Sequence, residues 1–248
     1  MKIVIDTHTH SLASGHAYST VDDLARGAAA KGLSGFVLTD HGPALCGTHP
    51  YHFGNLRVIP TVLEGVRFYS GVEANIMDRH GALDLNSYTL ARLDFVLAGF
   101  HEPCFDPGNL AGNTEALVAA LANPYVDAIS HPGNPAFPVD KRAVVEAAVR
   151  HGKALEINDG SFRIRQGSRP HCEELARLCA EAGAFVVVGS DAHYWRDVGN
   201  SATALEAIVA AGIPEERVLN ASVERFEAFI AERARIRAAE YSTVSQGR

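Results

Sequence analysis

The 248-residue chain is poor in the features that mark several protein classes. It has four cysteines, Cys46, Cys104, Cys172 and Cys179, with irregular spacing and no CxxC pair. That supplies no disulfide framework and reads as reduced thiols of a cytosolic protein. No apolar run reaches 18 residues, and the opening MKIVIDTHTH turns polar after five apolar-leaning positions. It lacks the apolar stretch of a signal peptide or membrane span, so a soluble, cytoplasmic protein with no membrane partner is expected. Basic charge is also short: 22 Lys plus Arg against 29 Asp plus Glu leave a formal net charge of −7. A binder of long nucleic acid needs a basic footprint, and this chain has none. A small phosphorylated substrate stays open, because bound metal reverses the local field. Low-complexity segments, fixed-period repeats and Ser/Gly/Pro linkers are all missing.

Two patterns alternate instead. Short β-branched apolar runs at 2–6, 35–39, 67–72, 94–99, 126–130, 154–157 and 185–189 predict strands buried on both faces. Ala-rich stretches with helical spacing lie at 20–31, 55–64, 114–122, 140–151, 170–182, 201–211 and 222–239. The first opens on a Ser/Thr cap with an acidic first turn, and Gly32, Gly152, Gly183 and Gly212 fall where helices should stop. An eighth strand at 217–219 is weakly signalled. Such alternation means parallel strands joined by right-handed crossovers, as a closed barrel or an open doubly wound sheet. In both, functional residues gather past the carboxyl ends of the strands.

Histidine is plentiful, with 12 in the chain, and its placement carries chemistry. Past the first run come His8 and His10, then His16. Past the second come Asp40 and His41, and at the third Glu73. His101 follows the fourth, His131 the fifth, Asn158 the sixth, and Asp191 with His193 the seventh. Seven imidazoles and two carboxylates at separate strand ends converge on one mouth if the sheet closes. Packed neutral imidazoles would repel one another once protonated, and divalent cations resolve this by accepting the lone pairs. Nine N/O donors exceed the needs of one tetrahedral zinc. Three divalent ions, two of them bridged by Glu73, would leave open catalytic positions; zinc is favoured, with manganese or iron as alternatives. Glu73 as a helix-capping acid and Asp191 as a mere orienter of His193 are the plainer readings. Asp6, Asp40, Asn134 and Asn158 are candidates to hold imidazole N–H groups from behind. Arg165, ahead of Arg163 and Arg196, is the candidate phosphate clamp. His49 and His52 read as loop packing with substrate contact as the alternative, and His80, His151 and His171 as surface residues.

In order along the chain stand DTHTH, TDHG, GVEAN, the isolated His101, SHPGNP, LEIN and GSDAH. This set resembles the PHP (polymerase and histidinol phosphatase) family, and most closely its stand-alone YcdX-type zinc phosphatases, over nearly the whole chain. The resemblance implies a distorted (β/α)7 TIM-like barrel spanning residues 1–240, followed by a flexible tail at 241–248. It implies a trinuclear site: His8, His10, Glu73 and Asp191 on one ion; Glu73, His101 and His131 on a second; His16, His41 and His193 on the third. The implied activity is hydrolysis of a small phosphate monoester by a metal-bridging hydroxide, with Glu73, Asp191 and Arg165 as catalytic groups. A homotrimer is implied as well. The rivals are an amidohydrolase-type metal hydrolase, a phosphodiesterase or nuclease acting on short nucleotides, and a non-enzymatic metal-carrying regulatory protein.

Overall fold

The structure is a computed structural model that describes residues 1–45 and 47–246. Its strands are β1 (Ile5–Thr9), β2 (Gly35–Leu38), β3 (Val62–Leu63), β4 (Val66–Asn75), β5 (Phe95–Gly99), β6 (Ala128–Ile129), β7 (Ala154–Glu156) and β8 (Phe185–Val187). The helices are α1 (Val21–Ala30), α2 (Pro50–Asn55), α3 (Ser87–Leu90), α4 (Leu110–Ala122), α5 (Lys141–His151), α6 (Ser161–Ile164), α7 (Ser168–Ala182), α8 (Ala202–Ala211) and α9 (Val223–Gln246). Seven strands pair in parallel in the order β1-β2-β4-β5-β6-β7-β8, and β3 adds an antiparallel hairpin to β4. This is a distorted (β/α)7 TIM-like barrel, a curled parallel sheet rather than a doubly wound one.

The seam between β8 and β1 carries no regular ladder. Single bridges join Thr9 to Ala192 and Val186 to Val218. The Asn220 side chain fills the gap where an eighth strand would lie. Its Nδ2 donates to Ile5 O (2.8 Å) and Val188 O (2.7 Å), and its Oδ1 accepts from Val188 N (3.0 Å). Segment 217–219, weakly signalled as a strand, is therefore one bridge between two 3-10 turns. Higher up, Asp6 ties the same seam by accepting from Ser190 N (3.0 Å), Ser190 Oγ (2.5 Å) and Gly199 N (2.7 Å).

The helix expected over 55–64 is absent. Pro50 at the first position and the His49 ring, which accepts from Tyr51 N (3.2 Å), start α2 earlier. Pro60 removes a backbone donor, and the Glu64–Gly65 turn, with φ of 51° and 77°, sends the chain into β4. Residues 241–246, expected as a flexible tail, continue α9. Tyr241 meets Tyr88 edge-on at 6.0 Å, under the Arg92 guanidinium, which explains the extension. Positions 247–248 lie outside the described residues.

The barrel interior is split by height. Below, Phe226 of α9 plugs the amino-terminal end against Tyr69 (5.4 Å) and Phe95 (5.5 Å), among Ile5, Val37 and Leu97. Arg233 and Arg237 clamp α9 to the buried Asp127 carboxylate. Above, the interior turns polar. A register shift in β1 between Asp6 and Thr9 brings His8 onto the face that Ile5 occupies lower down, and His10 follows two residues on. No described helix is long and apolar enough to cross a membrane.

Candidate metal centre

The strand ends deliver their side chains to one point. His8 lies inside β1, Glu73 inside β4, and His10, His41, His101, His131, Asp191 and His193 come just past strand ends. His8, His10 and Glu73 are fully buried. Their packing requires two glycines: a Cβ on Gly99 would strike Ser130 Oγ and press on His131 and Glu73, and one on Gly189 would strike Glu156 and His8. His131 (φ 32°) and Asp191 (φ 57°) hold left-handed backbone conformations that strain non-glycine residues, as functional positions often do.

Glu73 is the hub. Its Oε2 lies 2.9 Å from His41 Nδ1, 3.2 Å from His8 Nε2 and 3.6 Å from His10 Nε2. Its Oε1 lies 2.7 Å from His131 Nε2 and 3.4 Å from His101 Nε2. Asp191 Oδ1 is 3.3 Å from His10 Nε2 and 3.6 Å from His8 Nε2. At the rim, His16 and His193 bring their Nε2 atoms to 3.0 Å. All nine expected side chains thus meet. His8, His10 and Asp191 group as the resemblance implies. His41 differs: it groups with Glu73 and His101 as well as with His10 and His193.

The far nitrogens of these rings are mostly pinned from behind. His8 Nδ1 pairs with Glu156 Oε1 (2.8 Å), His10 Nδ1 with Ser14 Oγ (3.3 Å), and His101 Nδ1 with Asn75 Oδ1 (2.7 Å). His16 Nδ1 faces Ser14 O and His193 Nδ1 faces Asp191 O, each at 3.0 Å. These partners fix one tautomer and turn Nε2 into the site. The residues expected in that role differ in part. Asp6 ties the barrel seam, and Asn134 caps its own turn through Ala136 N (3.1 Å). Asp40 acts one residue removed, accepting from Ser14 Oγ (2.7 Å), Ser11 N (2.7 Å) and Ser11 Oγ (2.7 Å). Asn158 touches Asp191 Oδ2 (3.4 Å) and accepts from Arg165 Nη1 (3.3 Å). Sequence reasoning passed over Glu156, Asn75 and Ser14. The first two sit inside the quoted LEIN and GVEAN motifs, two residues from Asn158 and Glu73, on the same strand face.

Arg165 reaches the mouth, with Nη2 3.0 Å from Asp191 Oδ2 and Nη1 3.0 Å from Ser161 Oγ. Arg163 points instead at Asp159 and Asp197, and Arg196 lies over Trp195. His52 reaches Asp40 Oδ2 (3.0 Å) rather than the mouth.

Burial holds His10 well below the usual imidazole range, and the adjacent His41 adds to this. Burial and His193 lower His16; burial and Arg165 lower His131. For Glu73 burial opposes ionisation, but His8, His101, His41 and His131 together hold the carboxyl well below its usual value. Asp191 is held down likewise, against its burial, by His8 and Arg165. His8 moves up: burial works against its charge, yet Glu156, Glu73 and Asp191 outweigh it. The ionised Glu73 and Asp191 and the neutral forms favoured at His10, His16 and His131 are the protonation states that cation ligands require, and a cation there would take the place of the proton that the carboxylates draw to His8.

Of the seven buried side-chain polar atoms among the described residues that make no hydrogen bond, four face one another in this site: His8 Nε2, His10 Nε2, His41 Nδ1 and Glu73 Oε2. Orphaned buried donors and acceptors are costly, about 1–3 kcal/mol each, and four pointing at one spot fit a cation of the His/carboxylate type.

The PHP domain family matches residues 6–131. The chain belongs to that family. A probable phosphatase from Acetivibrio thermocellus is 52% identical over 93% of this chain and 96% of its own length. One from a Thermoanaerobacter species is 48% identical over 95% of this chain and 97% of its own. Among solved structures, histidinol phosphate phosphatase from Lactococcus lactis, complexed with zinc, L-histidinol and phosphate, superposes with a TM-score of 0.63. It covers 86% of this chain and 95% of that one at 18% identity, which speaks to the fold. The amidohydrolase scheme finds no bridging lysine, because His101 stands just past the end of the fourth parallel strand.

Proposed function

We propose that this phosphatase hydrolyses a small phosphate monoester at a site holding three divalent cations, zinc in the first instance. The observation that carries the proposal is the convergence of His8 Nε2, His10 Nε2, His41 Nδ1 and Glu73 Oε2, buried together within contact distance of the Glu73 carboxylate yet none of them in a hydrogen bond. His8, His10 and Asp191 would hold one ion, with Glu73 shared to a second beside His101 and His131. His16, His41 and His193 would hold the third. Bound there, divalent cations supply a more acidic water and offset phosphoryl charge.

The chain's own groups do the rest. Arg165 offers its guanidinium to phosphoryl oxygens while Asn158, Ser161 and Asp191 keep it in place. Asp191 presents Oδ1 inward and commits Oδ2 to Arg165, so one carboxylate links the phosphate clamp to the ligand set. Glu156 keeps His8 Nε2 directed inward. In the net reaction water oxygen bonds to phosphorus, the bond from phosphorus to the alcohol oxygen breaks, and the alcohol leaves with a proton. The acidic balance of the chain suits a small substrate in the cytoplasm rather than a polymer, and a homotrimer is the assembly to look for.

The test is a zinc-reconstituted preparation assayed on phosphomonoesters, beside His131→Ala. The variant should lose bound metal and turnover together with the fold retained by circular dichroism. Full turnover in it would remove His131 from the ligand set.

A further inference from the structure

The cleft above the metal centre has a volume of about 500 Å³ and two unlike kinds of lining. One is the cluster of imidazoles with Asp191 and Arg165. The other is mostly apolar: Leu45, Phe100, Pro103, Phe137 and Ile164, with Asn134 and Glu102 among them. Phe100 and Phe137 stack at 4.9 Å between ring centres and are fixed in the core. Ile164 is different. It closes α6, directly precedes Arg165, and is 63% exposed. An aliphatic side chain left in water beside the phosphate clamp gains by contact with an apolar ligand, since removing that surface from water is favourable.

Charge sorts the substrates further. Among the described residues lining the cleft, Arg165 is the one Arg or Lys, and Glu102 places an acid on the same rim. The Arg165 guanidinium, already braced on Asp191, Asn158 and Ser161, serves one phosphoryl group. A second phosphate on the substrate would find no further fixed cation there and would face the Glu102 carboxylate. A polyhydroxylated skeleton would set most of its hydroxyls against apolar lining, with only Asn134 and Glu102 to meet them outside the imidazole cluster, Asp191 and Arg165.

We infer that the substrate is the monophosphate of an uncharged, largely apolar alcohol, its carbon skeleton taken up by the apolar lining of the cleft, with Ile164 determining specificity. This rests on the phosphatase reading above and narrows it.

The experiment compares kcat/KM of the zinc-reconstituted protein for benzyl phosphate, glycerol 3-phosphate and fructose 1,6-bisphosphate. All three release alkyl alcohols, so leaving-group acidity does not decide the order. Benzyl phosphate should lead both others by about tenfold or more, the scale set by small apolar groups in a pocket. Ile164→Ser, at an exposed position, should cut that lead about tenfold through benzyl phosphate alone, with glycerol 3-phosphate held within about twofold. Equal or better turnover of the bisphosphate or of glycerol 3-phosphate overturns the inference and leaves the phosphatase reading standing. So does an Ile164→Ser effect shared equally by all three. No hydrolysis of any ester by the metal-loaded protein overturns both.

Discussion

Glu156 holds two parts of the site at once: its Oε1 takes the His8 ring at Nδ1 (2.8 Å) and its Oε2 takes the His131 backbone amide (2.7 Å). One carboxylate on β7 thereby sets the tautomer of a side chain from β1 and the turn that presents another after β6. Each of these strands alone would leave its ring free to rotate. The fully buried His8 depends on this partner for the direction of Nε2.

Glu156→Gln should therefore weaken metal binding without unfolding the barrel. The amide can still accept from one partner but sets an NH2 group against the other donor. Partners of this kind typically change metal affinity about 10–100-fold when altered. Competition with a chromophoric zinc chelator measures it, and a wild-type affinity would reduce Glu156 to a packing residue.

His52 calls for a similar experiment from the opposite side. It donates to Asp40, burial of which would raise its carboxyl, yet hydrogen bonds from His52 and Ser14 pull it down to about 2. Ser14 Oγ passes this on to His10 Nδ1 (3.3 Å) and the His41 amide (3.2 Å). His52→Ala should lower zinc affinity by about tenfold with KM at saturating zinc unchanged, and His52→Gln, which keeps a donor, should recover most of it. If alanine and glutamine behave alike, the hydrogen bond to Asp40 is not what matters.

The nine side chains at the mouth were legible in the sequence because a parallel barrel funnels every strand end to one rim, so position relative to the apolar runs is nearly position in space. Their supports were not. Glu156 and Asn75 sit inside strands, where the run reads only as buried, and which atom faces which ring depends on register between strands far apart in the chain. Asn220 illustrates the same limit: an isolated Asn after Val218 and Leu219 carries no signal that its amide will stand in for a strand. The α2 region misled for a local reason, as the apolar spacing over 55–64 looks helical until Pro60 and Gly65 are weighed against it.

Arg165→Ala separates binding from metal retention. The guanidinium faces Asp191 Oδ2 on the side away from His8 and His10, so ligand geometry at Oδ1 should survive. Losing a charge-assisted contact to a phosphoryl oxygen costs about 1.5–3 kcal/mol, or roughly 10–100-fold in KM. Steady-state kinetics with zinc content measured on the same sample decides. An unchanged KM would take Arg165 out of the site.

The last prediction concerns stability at the opposite end of the barrel. Lys153 is 3% exposed, donates to Asn123 O (3.0 Å) and Val126 O, and lies near Arg233 and Arg237 around Asp127. Burial first, then the two guanidinium groups, bring its ammonium down to about 7. An unfolded lysine titrates near 10.4, so above about pH 7 the unfolded state binds the extra proton and stability rises with pH. The slope approaches 1.4 kcal/mol per pH unit, giving a gain on the order of 1–2 kcal/mol between pH 7 and 8.5. Below pH 7 both states hold the proton and this contribution is flat. Urea midpoints at pH 7 and 8.5 measure it, with Lys153→Met as the control in which the rise disappears. An equal rise in wild type and variant would assign it to other groups.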